Sequence, residues 1–320
     1  MATPVHLARA PSRNLSNRTS PSIIHAGKKV SPWILAARPK TLFAGVCPVG
    51  IGVSLAYLDQ KEIDWLLAIA TLLGAVAIQI GTNFCNDYFD FFQGADTAER
   101  KGPTRAVQAG LISPNAMLIA TILTFSTAIL ISVYLAKAAG WVFLLIGVLG
   151  VIFGVMYTAG RYSLAYLGLG DIFVLIFFGP VAVAGTYFIQ TMKLNRLSVI
   201  AGLAPGLIAV GLLVINNLRD VTEDAKAGKK TLAVRFGTNF ARLEYLFCIA
   251  GAACIPIFFV LSGVLPTSAL AVILSLVPGF IVARKIWSVD GAELNPMLGR
   301  TAVMLLGYTV LFCLGCILAW

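Results

Sequence analysis

Asn216-Asn-Leu-Arg-Asp-Val-Thr-Glu-Asp224 is the most informative segment of this chain, because it places three carboxylates directly after an apolar run of helical length. A second segment of the same kind, Asn83-Phe-Cys-Asn-Asp-Tyr-Phe-Asp90, also ends a long apolar run, and acidic residues continue from it to Asp96. Lys and Arg residues follow closely after each segment. Carboxylates at a membrane boundary cost free energy unless cations compensate them, so the two segments predict a functional site.

The composition around these segments is that of an integral membrane protein. Apolar residues make up 58% of the 320 residues and charged residues only 12%, and the mean hydropathy is +0.88. A soluble domain is about one quarter charged, whereas apolar segments of the roughly 20 residues that a bilayer requires recur along this chain. We predict an all-α membrane protein with about nine transmembrane helices, at 42–58, 65–83, 116–136, 141–158, 171–190, 198–217, 243–262, 264–283 and 302–320.

The distribution of basic residues predicts the orientation of these spans. If the N-terminus is cytoplasmic, the outside loops hold only Lys61, Lys137, Lys193 and Arg196, and the other 20 of the 24 basic residues lie inside. Such a bias is the signature of the positive-inside rule, and it places both acidic segments on the cytoplasmic side. The net charge of +10 therefore reflects topology, and we expect no nucleic-acid partner.

The N-terminal residues 1–30 differ from the rest of the chain. They are polar, contain Ser and Arg, and lack acidic residues, which is compatible either with an organelle transit peptide or with a disordered, positively charged cytoplasmic tail. Residues 31–320 are predicted to form a single transmembrane domain. The only histidines, His6 and His25, lie in the tail, which excludes haem ligation or general-base catalysis by histidine within the helices.

The two acidic segments indicate an internal duplication. Asn216 and Asp220 follow Asn83 and Asp87 at the same offset of 133 residues, and each segment leads into a loop with Gly and basic residues. An even number of predicted spans separates them, so both repeats point the same way. This predicts two parallel pseudo-repeats, unlike the inverted repeats of many secondary transporters.

The spacing within the segments predicts a metal site. On a helix, Asp220 and Asp224 lie at i and i+4 and face one direction, as do Asn83 and Asp87. Oxygen ligands suit a divalent cation that holds a diphosphate. The alternative is a solvated helix end with local salt bridges to Arg219 or Lys226, which explains the recurrence in both halves less well.

Several motifs carry a family resemblance that covers residues 33–320. The chain resembles the UbiA-type intramembrane aromatic prenyltransferases, and among them the 1,4-dihydroxy-2-naphthoate polyprenyltransferases of menaquinone synthesis. The resemblance rests on Arg38-Pro-Lys-Thr41, Asn86-Asp-Tyr-Phe-Asp90, Gly94-Ala-Asp96, Arg100-Lys-Gly-Pro-Thr-Arg105, Tyr157-Thr-Ala-Gly160, Tyr166-Leu-Gly-Leu-Gly-Asp171, Phe177-Phe-Gly179, Asn216-Asn-Leu-Arg-Asp220, Gly228-Lys-Lys-Thr-Leu-Ala-Val and Pro296-Met-Leu.

The resemblance implies a helix bundle around a central cavity and a bound Mg²⁺. The expected metal ligands are Asn83, Asp87, Asp90, Asp96, Asn216, Asp220 and Asp224. Asp96 is the departure from the common pattern, because many family members space a third aspartate four residues after the second. The longer spacing here, with Asp96 six residues after Asp90, resembles the naphthoate branch and leaves open whether Asp96 binds metal directly.

The remaining site residues also follow from the resemblance. Those expected to neutralise the leaving diphosphate are Lys101, Arg105, Lys229 and Lys230. Arg38 and Lys40 are candidates for the acceptor's carboxylate, with anchoring of the first span as the alternative role. Asp171 would bind or deprotonate the acceptor, or else cap a helix N-terminus. Tyr157 and Tyr166 would present their rings to an allylic cation.

The implied reaction transfers an isoprenyl chain from a prenyl diphosphate donor to 1,4-dihydroxy-2-naphthoate with loss of the carboxylate, giving a demethylmenaquinol-type product. Other aromatic acceptors, such as 4-hydroxybenzoate or homogentisate, and a non-catalytic membrane transporter are the alternatives. The expected location is the bacterial inner membrane with the site facing the cytoplasm; a plastid membrane is the alternative.

Overall fold

The computed structural model describes residues 31–93, 101–160 and 163–318. Every regular element in those residues is helical. The α-helices are α1 (Pro32–Ala37), α2 (Pro39–Gln60), α3 (Trp65–Gln93), α4 (Pro114–Ala139), α5 (Val142–Thr158), α6 (Leu164–Leu167), α7 (Gly170–Ile176), α8 (Ala182–Thr191), α9 (Arg196–Arg219), α10 (Val221–Lys226), α11 (Leu232–Phe236), α12 (Thr238–Leu261), α13 (Val272–Lys285) and α14 (Asn295–Ile317). A π-helical turn, Phe177–Val181, joins α7 to α8, and 3₁₀ turns at Thr267–Ala271 and Gly291–Leu294 lead into α13 and α14.

The helices confirm the all-α membrane architecture predicted from the sequence. Among the described residues, eight helical stretches are long and apolar enough to cross a bilayer. The predicted span 141–158 corresponds to α5, whose 17 residues are fewer than in those eight. The count of nine spans and the cytoplasmic N-terminus therefore stay predictions.

Helix α9 forms the centre of the bundle. Of the eight spans it is the most buried, with 72% of its apolar window inside the protein, compared with 28% for α3 and α4. It packs against α2, α7, α12 and α14. Since the second acidic segment begins at the end of α9, this central helix fixes the position of half of the predicted site.

The α7–α8 span crosses α9 at unusually short range, and glycines permit it. Gly179 has non-helical dihedral angles (φ −119°, ψ −109°) next to Pro180, which cannot donate a backbone hydrogen bond. A Cβ on Gly179 would lie 2.7 Å from the carbonyl oxygen of Gly202, and one on Gly202 would lie 2.8 Å from the Gly179 backbone. Any side chain at these positions would push the two spans apart.

The loop that follows the first acidic segment folds back onto α3. Ala106 and Val107 are buried against Phe84 and against Ala36 of α1, in a small hydrophobic cluster of their own. Leu111 and Ile112 donate backbone hydrogen bonds to the Ala106 carbonyl and so close a turn. This packing holds the basic loop beside the carboxylates of α3.

Candidate active site

A cavity of about 320 Å³ lies inside the bundle. One end is polar and is lined by Arg38, Thr41, Asn83, Asn86, Tyr157 and Asn216. The rest is mainly apolar, with an aromatic wall of Phe153, Phe173, Phe177 and Phe178. Asn83 and Asn216 come from the two acidic segments, so the two halves of the chain converge on one cavity. This shape suits a ligand with a polar head and an apolar body.

The carboxylates of the first segment are held by the loop that folds back onto α3. Asp87 is almost fully buried, and its two oxygens accept hydrogen bonds from the backbone N–H groups of Ala106 (3.0 Å) and Val107 (3.3 Å). Asp90, also buried, forms an ion pair with Arg105. Helix α3 thus continues ten residues beyond the predicted end of the span at 83, and both aspartates are helical.

Arg219 organises the second segment. Its guanidinium donates to both oxygens of Asp220, from Nε at 2.7 Å and from Nη2 at 2.6 Å, and Nη2 also donates to Asn216 Oδ1 at 2.6 Å. The local salt bridge to Arg219, considered above as an alternative, is therefore present. Asp224 lies on α10, and its N–H donates to the Asp220 carbonyl at 2.8 Å, so the predicted i, i+4 relation is kept across the junction of α9 and α10.

Lys229 joins the two segments. Its Nζ lies 3.7 Å from Asp90 Oδ1 and 3.6 Å from Asp224 Oδ1, and 5.9 Å from the centre of the Tyr166 ring. Burial raises the pKa of Asp224 to about 6; Lys229 opposes this shift, and Asp220 adds to it. One cation thus sits between carboxylates from both halves of the chain.

Lys101 and Lys230 occupy the outer part of the site. Lys101 Nζ lies 3.7 Å from Glu223 Oε1, and its side chain is 40% exposed. The Lys101 carbonyl accepts a hydrogen bond of 3.0 Å from the amide of Asn295, at the start of α14. Lys230 is exposed, and its backbone N–H donates to the carbonyl of Tyr166.

Arg38 and Lys40, the two candidates for binding the acceptor's carboxylate, have different positions relative to the cavity. Arg38 lines the cavity, at the junction of α1 and α2, in a left-handed conformation (φ 53°) that costs a non-glycine residue free energy. Lys40 is exposed and lies beside Gly299 of α14, outside the cavity lining. Of the two residues, only Arg38 is placed to meet a ligand in the cavity.

The remaining predicted residues have different positions. Tyr157 lines the cavity and packs against Gly170, the residue before Asp171, whereas Tyr166 lies under Lys229 and outside the lining. The N-cap of α7 is Leu169, so the capping role considered for Asp171 is wrong. Asp171 is buried, and within the described part of the chain its Oδ1 has no hydrogen-bond partner. Asp96 lies outside the described residues.

Two polar contacts of the site were not predicted. Asn86 accepts a hydrogen bond from Thr158 of α5, which ties the first segment to that helix. Arg219 is buried, and it also donates to Asn295 Oδ1 at 3.0 Å. The sequence pointed to a local salt bridge of Arg219 but not to its bond with Asn295, which lies 76 residues away. Asn295 precedes the Pro296-Met-Leu motif, but its contacts depend on tertiary structure.

The donor set fits a divalent cation shared with a ligand. Among the described residues, no three acidic, histidine or cysteine side chains converge closely enough to hold a metal ion by themselves. Magnesium does not need such a cage, because it is usually held by one or two carboxylates together with substrate phosphates. The oxygens that converge on Lys229 from Asp90 and Asp224 mark a position where a cation is already held between the two segments.

The sequence and the fold both have known relatives. The model of the UbiA prenyltransferase family matches residues 46–304. The 1,4-dihydroxy-2-naphthoate octaprenyltransferases of Haemophilus influenzae and Escherichia coli are 34% and 35% identical, over 90% and 91% of this chain and 96% of each relative. A solved UbiA homolog from Archaeoglobus fulgidus has the same fold, with a TM-score of 0.64 at 17% identity, over 88% of this chain and 99% of that one. Family model and relatives extend over most of the sequence, and the chain belongs to the UbiA prenyltransferase family.

Proposed function

We propose that this membrane protein transfers an isoprenyl chain from a prenyl diphosphate to 1,4-dihydroxy-2-naphthoate, with loss of the ring carboxylate and formation of a demethylmenaquinol-type product. The observation that carries the proposal is that both acidic segments line the polar end of an otherwise apolar cavity, through Asn83 and Asn216. Lys229 bridges carboxylates of the same two segments. The relatives named for this activity support the choice of acceptor.

The donor's diphosphate would bind between the two segments through Mg²⁺. The solved homolog from Archaeoglobus fulgidus is described as bound to GPP and Mg²⁺. In this chain the residues that would hold the ion are Asp87, Asp90, Asp220 and Asp224, with Asn83 and Asn216 as neutral oxygen donors. When bound, the ion supplies Lewis-acid stabilisation of the negative charge that develops on the leaving diphosphate.

Basic side chains of the same site would share that charge. Lys229 and Arg105 are held against Asp90, and Lys101 against Glu223, so all three are already near the expected diphosphate. Preorganised cations of this kind stabilise a transition state because they need no reorientation as charge develops. Lys230, on the exposed side of the same turn, would contribute at longer range.

The acceptor would bind at the polar end of the cavity. A carboxylate inside an apolar cavity needs a cationic partner, and Arg38 lines that end. Tyr157 would face the allylic cation that remains once the carbon–oxygen bond of the donor breaks. The aromatic wall would exclude water, which would otherwise capture that cation. Asp171 stays a candidate for binding or deprotonating the acceptor.

A reconstitution experiment tests the proposal. Purified protein in lipid receives Mg²⁺ and a prenyl diphosphate, and pyrophosphate release and prenylated product are measured with and without dihydroxynaphthoate. We expect both only with the acceptor present, and neither after addition of a chelator. Turnover of 4-hydroxybenzoate or homogentisate, but not of dihydroxynaphthoate, would overturn the acceptor assignment. Binding of the donor without turnover of any acceptor would favour the transporter alternative.

We propose that the membrane concerned is a bacterial inner membrane, with the active site on its cytoplasmic side; a plastid membrane is the alternative. The excess of basic residues in the predicted inside segments supports the orientation. The naphthoate octaprenyltransferases of Haemophilus influenzae and Escherichia coli support the bacterial location.

A further inference from the structure

One face of α3 lines the cavity along four helical turns. The residues of this face recur every three or four positions, singly or as adjacent pairs, as expected for a single helical stripe. They are Thr71, Gly74, Ala75, Ile78, Gln79, Thr82, Asn83 and Asn86. The part of the stripe nearest the start of α3 has small side chains, those of Thr71, Gly74 and Ala75. The cavity therefore stays open from the acidic segment almost to the start of the helix.

The length of this stripe gives the depth of the cavity along α3. Thr71 and Asn86 are 15 residues apart, which corresponds to about 22 Å at 1.5 Å per residue of α-helix. The three main-chain bonds of an extended peptide residue span ~3.6 Å. At the same length per bond, an extended isoprene unit, which has four main-chain bonds, spans roughly 5 Å. A straight chain of about four isoprene units therefore fits between the acidic segment and the far end.

A packed hydrophobic cluster closes that far end. Leu135 of α4 and Phe143 of α5 line the cavity and also belong to a buried cluster with Ala139 and Ile189. The ring of Phe143 lies 5.9 Å from that of Phe188. Side chains in such a cluster are close-packed, so a chain that reaches them cannot extend further without displacing them.

Gly185 of α8 lies opposite this closed end. It lines the cavity, and a Cβ built on it would meet no atom closer than Cε1 of Phe143, at 4.0 Å. The position therefore accepts a side chain that points into the cavity, unlike Gly147, where an added Cβ would collide with Ser132. Gly185 keeps the last part of the cavity open.

We propose that the closed end selects the length of the donor chain, with Leu135 and Phe143 as the stop and Gly185 as the residue that leaves room for the last isoprene unit. The favoured donor is a prenyl diphosphate of four isoprene units, although the relatives above are named octaprenyltransferases. This inference rests on the proposed prenyl transfer. It adds a length limit that follows from the depth of the cavity.

Donors of different length test the proposal. We measure kcat/KM in reconstituted protein for geranyl, geranylgeranyl and octaprenyl diphosphates, which have two, four and eight units. The wild-type protein should prefer four units to eight by about 10-fold or more. Gly185→Phe should lower kcat/KM for the four-unit donor by about 10-fold relative to the two-unit donor, because the two-unit chain does not reach the far end.

Matched variants complete the design. Val142→Phe adds the same ring at an exposed neighbour of Phe143 that does not line the cavity, and it should keep the wild-type ratio between donors. Phe143→Ala should shift the preference towards eight units. Equal use of four and eight units by the wild-type protein, or a constant ratio in all variants, would show that the chain leaves the cavity sideways and would overturn the length limit. Absence of product with every donor would instead contradict the proposed function.

Discussion

Each of the four aspartates Asp87, Asp90, Asp220 and Asp224 has its own partner within the chain. Asp87 accepts from two backbone N–H groups, Asp90 pairs with Arg105, Asp220 is gripped by Arg219, and Asp224 lies beside Lys229. Their partners come from the chain itself, so none is left as an uncompensated buried charge. An amide of the same shape can keep much of this packing but not the negative charge.

Substitution of one aspartate in each segment should separate folding from chemistry. Asp87→Asn and Asp220→Asn each remove a charge that the proposed diphosphate complex would require, so each should lower turnover by at least about 100-fold, or ~3 kcal/mol. Both proteins should still insert into membranes and elute as folded species in detergent. Asp290→Asn, an exposed carboxylate outside both segments, is the control. Near-normal activity in either active-site variant would refute the two-segment site.

The positions of Arg38 and Lys40 lead to different expectations for the two residues. Arg38→Ala should raise the KM for dihydroxynaphthoate by roughly 10- to 150-fold, because a charge-assisted contact contributes ~1.5–3 kcal/mol. The KM for prenyl diphosphate should change much less. Lys40→Ala, at an exposed position, should alter either constant by no more than about two-fold. Equal effects of Arg38→Ala on both substrates would reassign this residue to the diphosphate or to the fold.

At the level of elements, the start of α14 connects the two halves of the site. Asn295 accepts from Arg219 Nη1 and donates to the Lys101 carbonyl, both at 3.0 Å. A single amide therefore links the arginine of the second segment to the loop that follows the first. Pro296 of the Pro296-Met-Leu motif lies in the first turn of α14 and helps to fix the position of the Asn295 amide.

Loss of the Asn295 amide should loosen the donor site. Asn295→Ala removes both hydrogen bonds, and we expect the KM for prenyl diphosphate to rise about 5- to 30-fold, or ~1–2 kcal/mol. The KM for the acceptor should remain close to the wild-type value, a split that general destabilisation would not produce. Asn239→Ala, which removes an exposed amide bonded to Arg242, serves as the comparison. A parallel rise in both constants would contradict a specific positioning role.

Element boundaries show what hydropathy can and cannot predict. The apolar run of α3 ends near residue 83, yet the helix continues to Gln93, because the folded-back loop at Ala106 and Val107 supplies backbone donors to Asp87. That loop lies more than 20 residues later in the sequence, so the hydropathy of the residues around position 83 carries no information about it. The close crossing at Gly179 and Gly202 likewise depends on a helix pairing that periodicity does not encode.

At the scale of the whole molecule, the sequence predicts the class of fold and the convergence of the segments better than the individual contacts. Charge asymmetry and apolar run lengths indicate the helical membrane bundle, and the repeated Asn-x-x-x-Asp pattern indicates the shared cavity end. The pairing of Lys229 with both segments was not predictable, because it requires the register between α3 and α10. For the same reason Arg38 and Lys40 were indistinguishable from sequence.

The orientation of the molecule is open to direct measurement. The bias in basic residues predicts that the loop before α14 faces the cytoplasm and that the loop between α8 and α9 faces outside. In a Cys254→Ala background, Lys193→Cys in intact cells should react with an impermeant maleimide, whereas Asp290→Cys should react only after permeabilisation. Cys254 is removed because it is exposed among the native cysteines. The reverse labelling pattern would place the active site outside.

The position of Lys229 also predicts how the protein would tolerate removal of the proposed magnesium ion. Since its ammonium compensates Asp90 and Asp224 from within the chain, removal of divalent ions does not leave two bare carboxylates to repel each other. Removal of the ion should abolish turnover without unfolding the helix bundle. We expect chelator-treated protein to keep its melting temperature in detergent and to regain full activity when magnesium returns. Irreversible loss of activity, or a fall in melting temperature on chelation, would show that the ion holds the two halves together.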